Sequence, residues 1–311
     1  MKILIIDELH PYLKTALENL GCICDDYPDI SSSEVASIIP HYQGLVLRAK
    51  IKVDKHLIDK ATQLKFIARA GAGMETIDVK YATSKGIKCI SSPEGNRGAV
   101  AEHAIGMLLS LLNKLKKSDS EIRQGIWNRR SNWGVSIEGK TVGIIGYGNT
   151  GSEFANRLSS FGVNILAYDK YKSGFSNDIV TEVNIDQLKQ EADIISLHLP
   201  LTEETKFLVD KPFIEGCNKS FYLINTSRGA IVKTEALVNA LKTNKILGCC
   251  LDVLEYEQQN FESLFKQDLP SDFSYLINSE NAILSPHIAG WTVESFLKHS
   301  EVLFKKIAQS L

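Results

Sequence analysis

"TVGIIGYGNTG", residues 141–151, decides how the rest of the chain is read. An apolar, β-branched run from Thr141 to Ile145 meets Gly146, Gly148 and Gly151 in the order G-x-G-x-x-G, and the helical stretch "SEFANRLSSFG" follows. "VNILAYD" then supplies a second strand ending in Asp169, 23 residues past Gly146. Three glycines alone are a weak signal, because glycines punctuate many turns. The order strand, glycine turn, helix, strand, carboxylate is what makes them a dinucleotide cradle. Gly146 permits the tight turn, Gly148 lets the backbone approach a pyrophosphate, and Gly151 allows the helix to pack closely on the sheet. The helix start offers unpaired N–H groups to that pyrophosphate. Asp169 would accept from the adenosine ribose hydroxyls and repel a 2′-phosphate, so NAD is expected rather than NADP. Lys170 and Lys172 stand just beyond and could soften that preference. The competing reading is a glycine turn in another α/β fold.

Outward from this point, the bulk properties restrict the alternatives. The 311 residues are 44% hydrophobic and 23% charged, enough for a large core and two domains. A net charge of −2 gives no basic field for nucleic acid, and the cluster Lys114, Lys116, Lys117 reads as a solvated helix face. "MKILIIDELH" reaches Asp7 after four apolar residues, too few for a signal-peptide core or a membrane span, so no membrane association and a cytoplasmic location are expected. Six cysteines show no C-x-x-C pair and no histidine at metal-ligand spacing; they read as free, mostly buried thiols with no metal site.

The pattern of elements is α/β throughout. "KILIID", "GLVLR", "LKFIARAG" and "IKCIS" alternate with helical stretches up to about residue 93, as in a small parallel sheet. "TVGIIGYG", "NILAYD", "ADIISLHLP", "SFYLINTS", "KILGCCLDVL" and "NAILSPH" form a second series of six strands, a larger doubly wound sheet. Between them Val100, Ala104, Met107, Leu108, Leu111, Leu112 and Leu115 recur at helical spacing, predicting one long helix that bridges two domains. The amphipathic C-terminal segment "TVESFLKHSEVLFKKIAQSL" can return to the first domain. Residues 256–280 read as an extended loop with helical turns, and no appended effector domain is expected after Leu311.

Three side chains stand at strand ends of the second series, where open α/β sheets bind ligands. They are Arg228 in "NTSRG", Glu257 in "LDVLEYEQ" and His287 in "SPHIAGWT". An arginine fork can hold a carboxylate or polarise a carbonyl, and a histidine can pass a proton at an alcohol oxygen. A carboxylate beside the imidazole would fix its tautomer. Singly, each has an ordinary reading: a surface ion pair, a loop charge, a histidine before a turn. Their succession downstream of the glycine motif gives them a joint meaning.

With these motifs in hand the chain resembles the D-isomer-specific 2-hydroxyacid dehydrogenases over essentially its whole length. "GYGNTG", "LHLPLTEET", "NTSRGAIV", "LDVLEYE" and "SPHIAG" occur in that family's order. The resemblance implies two doubly wound parallel-sheet domains: a flavodoxin-like substrate-binding domain, residues 1–95 plus 288–311, and a Rossmann NAD-binding domain, residues 96–287. It implies Arg228, Glu257 and His287 as the catalytic set, with Asp252 near the nicotinamide carboxamide. Asn149, Thr150, Asp169, Leu199, Thr226 and Gly290 would line the cofactor together with Gly146, Gly148 and Gly151. In "RAGAG", Arg69 to Gly73, backbone N–H groups including those of Ala72 and Gly73 would meet the substrate carboxylate; a plain strand-to-helix turn is the alternative. Two departures concern the glutamate. Gln258 stands where the family usually has proline, and the stretch from Glu257 to His287 is longer than usual, so Glu255 is a rival to Glu257.

The implied reaction moves a hydride between nicotinamide and C2 of a small 2-hydroxy or 2-keto acid. Arg48 ends the strand "GLVLR" and Arg69 the strand "LKFIAR", so in a parallel sheet both guanidiniums can emerge at the same edge, facing the cleft between domains, and they match arginines that grip the phosphate in family members acting on 3-phosphoglycerate. Arg48 could instead pair with Asp54 or Glu75. "GIWNRRSNWG" resembles a segment that reaches across from a partner subunit, placing Arg129 or Arg130 nearby, and a homodimer is expected on the helix after Arg97 and the segment Trp127 to Trp133. Glycerate or hydroxypyruvate is the alternative substrate. A non-catalytic NAD sensor resembling corepressor relatives is the alternative class.

Overall fold

The computed structural model describes residues 1–257 and 270–310. The chain divides into two compact units, residues 1–97 with 291 onward, and residues 98–290.

The first unit is built on a five-stranded sheet of β1 (Lys2–Ile5), β2 (Ile23–Asp26), β3 (Gly44–Leu47), β4 (Phe66–Arg69) and β5 (Lys88–Ser91). Every pairing is parallel and the order is β2-β1-β3-β4-β5. That is the flavodoxin-like order, in which the chain reverses its direction of travel beside β1. Successive side chains of β3 and β4 alternate between two cores: Leu45, Leu47 and Ile67 on one face, Val46, Phe66 and Ala68 on the other. Sheets covered on both faces need such unbroken apolar strands. The helix Val293–Ala308 starts on a Thr292 and Ser295 capping box and adds Leu303 and Ile307 to the second of these cores.

The second unit carries seven parallel strands: β6 (Thr141–Ile145), β7 (Asn164–Tyr168), β8 (Thr181–Glu182), β9 (Ile194–Leu197), β10 (Phe221–Asn225), β11 (Ile246–Leu251) and β12 (Ala282–Leu284). Their order, β12-β11-β10-β9-β6-β7-β8, puts the switch point between β9 and β6. Leu223 and Ile224, like Cys249 and Cys250, point into opposite cores, one centred on Phe221 and one on Phe154. Each fully buried side chain of this size contributes roughly 1.5–3 kcal/mol.

The expected α/β class with two parallel sheets is what the chain adopts. Three details differ from expectation. β2 and β8 are additional strands, both at sheet edges, where "ICDD" and "TE" need no apolar run. The single long helix is two, Arg97–Leu112 and Leu115–Arg123, because Lys114 adopts a left-handed backbone at φ 50° and Val135 N–H takes the carbonyl of Leu112. Leu115 therefore lies off the apolar stripe and is exposed, and the second helix buries no residue. Residues Ser271–Asn278 form a regular helix that buries Phe273 and Leu276, while Gln258 and the positions up to 269 lie outside the described residues.

All six cysteines are free thiols, and burial pushes Cys249 up to about 12, which leaves it unreactive near neutral pH. Among the described residues no helix is long and apolar enough to cross a membrane.

Candidate functional site

The glycine turn leaves β6 with Gly146 at φ 95°, a left-handed backbone that a side chain would strain. A Cβ there would also run into the carbonyl of His198, and one on Gly151 would run into the carbonyl of Gly146. Gly148 forms the N-cap of the helix Asn149–Leu158, with open space where its Cβ would stand. The N–H groups at the start of that helix, beside Asn149 and Thr150, therefore have no capping side chain. On the strand ends, Leu199 is half-buried and Thr226 Oγ1 is a buried hydroxyl with no partner among the described residues. The open space that a Cβ on Gly148 would fill, an uncapped helix start and an orphaned hydroxyl fit the pyrophosphate of a dinucleotide.

Asp169 follows β7 and holds the rim of this cradle. Its Oδ2 accepts from Tyr147 N–H at 2.8 Å, and its Oδ1 from the N–H groups of Tyr171 at 2.9 Å and Lys172 at 3.1 Å. Tyr147 stacks on Phe175 with ring centroids 4.5 Å apart. The two lysines weighed against NAD preference are both engaged: Lys170 pairs with Glu204, and Lys172 Nζ donates to Tyr147 O at 3.1 Å. Beneath the turn, His198 is buried, bonded through Nε2 to Ser196 Oγ at 2.8 Å and pushed down to about 3 by burial. It is a neutral spacer under the loop. Nothing in its setting within "LHLP" distinguished it from any other histidine.

Three adjacent strands, β10, β11 and β12, deliver the remaining candidates from their C-terminal ends. After β10, buried Asn225 folds the turn by accepting from Ser227 N–H at 3.0 Å and donating to Arg228 O at 2.9 Å. Ser227 Oγ donates to Leu197 O at 2.5 Å and accepts from Leu199 N–H at 3.1 Å, tying this turn to the end of β9. Arg228 follows in extended conformation and donates through one terminal nitrogen to Ser227 O at 2.6 Å.

After β11 come two glutamates with different roles. Glu257 Oε2 lies 2.8 Å from His287 Nδ1, and its Oε1 accepts from Leu254 N–H at 2.5 Å. Glu255 instead accepts from Thr234 N–H at 2.7 Å, at the start of the helix Thr234–Lys242. The carboxylate beside the imidazole is thus that of Glu257. With Nδ1–H donated to Glu257, a proton on Nε2 makes the ring an imidazolium, so Nε2 is the nitrogen that can give or take a proton.

His287 itself has a left-handed backbone, φ 55°, which costs a non-glycine residue roughly 1–2 kcal/mol. Asp252 holds it there. The Asp252 carbonyl accepts from His287 N–H at 2.7 Å. Its carboxylate accepts from Ser285 Oγ at 2.6 Å and from the N–H groups of Ile288 at 2.9 Å and Ala289 at 2.8 Å. His103 Nε2 stands 2.9 Å from Ser285 Oγ and 3.6 Å from Asp252 Oδ1. Asp252 was expected near the nicotinamide carboxamide; its buried carboxylate is the keystone of the turn that runs from Ser285 to Gly290. Ser285 and His103 belong to this network and carried no recognisable signal in sequence.

In the first unit, Arg48 follows β3 and Arg69 ends β4. Arg69 turns inward: it is 7% exposed, donates through Nε to Arg48 O at 2.6 Å and through a terminal nitrogen to Gly73 O, and lies 3.7 Å from Glu75. It shapes the loop from Ala70 to Glu75 from within. Gly71 N–H donates to Ser92 Oγ at 3.1 Å, whereas the N–H groups of Ala72 and Gly73 donate to no group among the described residues. Among the described residues no group of three or more metal-ligating side chains occurs.

Known proteins resemble this chain in sequence and fold. Residues 105–289 match the family described as D-isomer specific 2-hydroxyacid dehydrogenase, NAD binding domain. The chain is 33% identical over 309 residues to D-3-phosphoglycerate dehydrogenase of Archaeoglobus fulgidus, covering 99% of this chain and 56% of that one. It is 35% identical over 283 residues to hydroxypyruvate reductase of Thermotoga maritima, covering 91% of this chain and 89% of that one. The chain spans about half the length of the phosphoglycerate dehydrogenases it matches. The NAD complex of a D-isomer specific 2-hydroxyacid dehydrogenase from Lactobacillus delbrueckii ssp. bulgaricus superimposes with a TM-score of 0.83 at 26% identity, covering 100% of this chain and 98% of that one. The glycine cradle thus sits in an NAD-binding domain, and the chain belongs to the D-isomer specific 2-hydroxyacid dehydrogenase family.

Proposed function

We propose that the protein is an NAD-dependent oxidoreductase acting at C2 of a D-2-hydroxy acid, with 3-phosphoglycerate and 3-phosphohydroxypyruvate as its substrate pair. The observation that carries the reaction is the 2.8 Å pair of His287 and Glu257, held on a chain whose family domain binds NAD. When bound, the nicotinamide takes or gives the hydride at C2. In the oxidation direction His287 Nε2 removes the hydroxyl proton, and Glu257 keeps the ring oriented for it. Arg228 holds the substrate carboxylate and the forming keto oxygen, and the N–H groups of Ala72 and Gly73 are donors for that carboxylate.

The phosphate reading rests on Arg48. Its guanidinium makes no hydrogen bond and no ion pair among the described residues, so its donors suit a dianion. Arg69 contributes indirectly, by shaping the loop. A second reading, a hydroxypyruvate reductase, is favoured by the match to the Thermotoga maritima protein over 89% of its length.

The proposed assembly is a homodimer. Trp127 and Trp133 are 79% and 75% exposed, and Leu115, Ile122 and Ile126 add apolar surface beside them in sequence. Soluble monomers rarely leave such surface uncovered. Arg129 and Arg130, exposed on the same segment, would then reach the partner's substrate.

The test is to compare 3-phosphohydroxypyruvate with hydroxypyruvate in reduction by NADH. Preference for the phosphorylated acid that collapses in Arg48→Ala supports the assignment. A wild-type preference for hydroxypyruvate refutes it in favour of the second reading, and no turnover of any 2-keto acid favours a non-catalytic NAD sensor.

A further inference from the structure

Arg48 does not hang loose at the end of β3. Its guanidinium carbon lies 4.7 Å from the centroid of the Trp291 ring and 5.9 Å from that of Phe296. Phe296 is held in turn by the edge of His10, at 5.7 Å. The backbone N–H of Arg48 donates to Asp7 Oδ2 at 2.6 Å, and its carbonyl accepts from Arg69 Nε. Both the root and the flat face of this side chain are therefore fixed.

Its edge is a different matter. The nearby carboxylates are committed elsewhere: Asp7 to the N–H groups of Arg48 and Lys50, Glu75 to Arg69, and Asp54 to Leu57 N–H at the start of a helix. His299, on the C-terminal helix and within the electrostatic reach of Arg48, is neutral and bonded to Ser92. A guanidinium stacked on an indole keeps its in-plane donors while losing water from one face. That combination favours a planar or forked anion meeting the edge. Trp291 is 68% exposed, so packing against the core does not explain its place. It stands four residues after His287 in the chain.

We propose that Trp291 is a specificity-determining residue: it seats Arg48 so that the guanidinium edge receives a terminal anion on the 2-keto acid. This rests on the reading of Arg48 as the phosphate ligand. Trp291 touches Arg48 and not the reacting atoms, and it is a positioning residue. Indole holds a cation better than a benzene ring does, so phenylalanine should retain part of the effect.

The experiment measures kcat and KM with NADH for 3-phosphohydroxypyruvate and hydroxypyruvate in wild type, Trp291→Ala, Trp291→Phe, Arg48→Ala and the Arg48→Ala, Trp291→Ala double variant. The expected result is a loss of KM discrimination between the two acids by roughly 3- to 30-fold in Trp291→Ala, with a smaller loss in Trp291→Phe. Arg48→Ala should abolish the discrimination, and adding Trp291→Ala to it should change nothing further. Equal shifts in both KM values in Trp291→Ala, or losses that add in full in the double variant, overturn the inference. Discrimination that collapses in Arg48→Ala but survives in Trp291→Ala overturns the inference alone. A wild type without discrimination, unmoved by Arg48→Ala, overturns the phosphate reading and the inference together.

Discussion

His287 Nδ1 and Glu257 Oε2 lie 2.8 Å apart, while Glu255, two residues earlier, hands its carboxylate to the backbone of Thr234. The two glutamates should therefore respond to substitution in opposite ways. Glu257→Gln is expected to lower kcat by roughly 10²-fold, and His287→Ala by roughly 10²- to 10⁴-fold, with NADH affinity nearly kept in both. Glu255→Gln should leave kcat near wild type and cost about 1 kcal/mol of stability, because it weakens the start of a helix. Steady-state kinetics beside urea denaturation decide it. The reverse pattern would make Glu255 the partner of the imidazole.

Asp252 is expected to matter for both stability and rate. Its carboxylate accepts three hydrogen bonds that hold Ser285, Ile288 and Ala289, around a histidine in a left-handed backbone. Asp252→Ala leaves the buried N–H of Ala289 without an acceptor, at about 1–3 kcal/mol, and frees that of the more exposed Ile288 at smaller cost. Denaturation should show that loss. Turnover should fall although Asp252 need not touch the reacting atoms, since His287 loses its fixed placement. A variant with wild-type stability would show that the turn stands without the carboxylate.

Asp169→Ala should weaken NADH binding about 10-fold or more and narrow the gap to NADPH. Part of the loss is indirect, since the carboxylate also orders the N–H groups of Tyr147, Tyr171 and Lys172. Fluorescence titration with both cofactors reads it, and equal affinities in the unmodified protein would remove Asp169 as the discriminating group.

Much of this architecture is legible in the residues. Strands buried on both faces, such as β3, β9 and β10, announce themselves as apolar runs, and the glycine spacing locates the cradle. The edge strands β2 and β8 do not, because Ile23 to Asp26 and Thr181 to Glu182 gain their pairing from one neighbour and carry no apolar run. The break at Lys114 escapes periodicity because Leu115 continues the apolar spacing although it does not continue the buried face. Arg69 shows the limit most plainly. Strand position puts it at the same sheet edge as Arg48, but only the fold of the following loop turns its guanidinium inward to Gly73 O and Glu75. Which glutamate meets His287 was likewise open in sequence, since two residues of spacing cannot tell which carboxylate the turn after β11 aims at β12.

Two of the histidines that the proposed reaction does not use, His198 and His299, should set the acid limit of stability. His198 is pushed down to about 3 by burial, and His299 to about 4 by burial, with Arg48 and Arg69 adding in the same direction. In the unfolded chain each titrates near 6.5. Between the folded and unfolded values the unfolded chain binds more protons, so stability rises with pH in that window and is lost as pH falls through it. The contribution is complete above about 6.5 and declines toward about 4 for His299 and about 3 for His198. At pH 5, fully buried His198 should account for a loss on the order of 2 kcal/mol, and partly exposed His299 for less. Urea denaturation at about pH 7 and about pH 5 measures the slope, which His198→Asn and His299→Gln should each flatten. Carboxylates paired in the native state, such as Asp193 on Thr141 N–H and Lys219, lie below the usual carboxylate range and lose their contribution only at lower pH. A decline that begins below pH 4 and is unchanged in both histidine variants would assign acid sensitivity to those carboxylates instead.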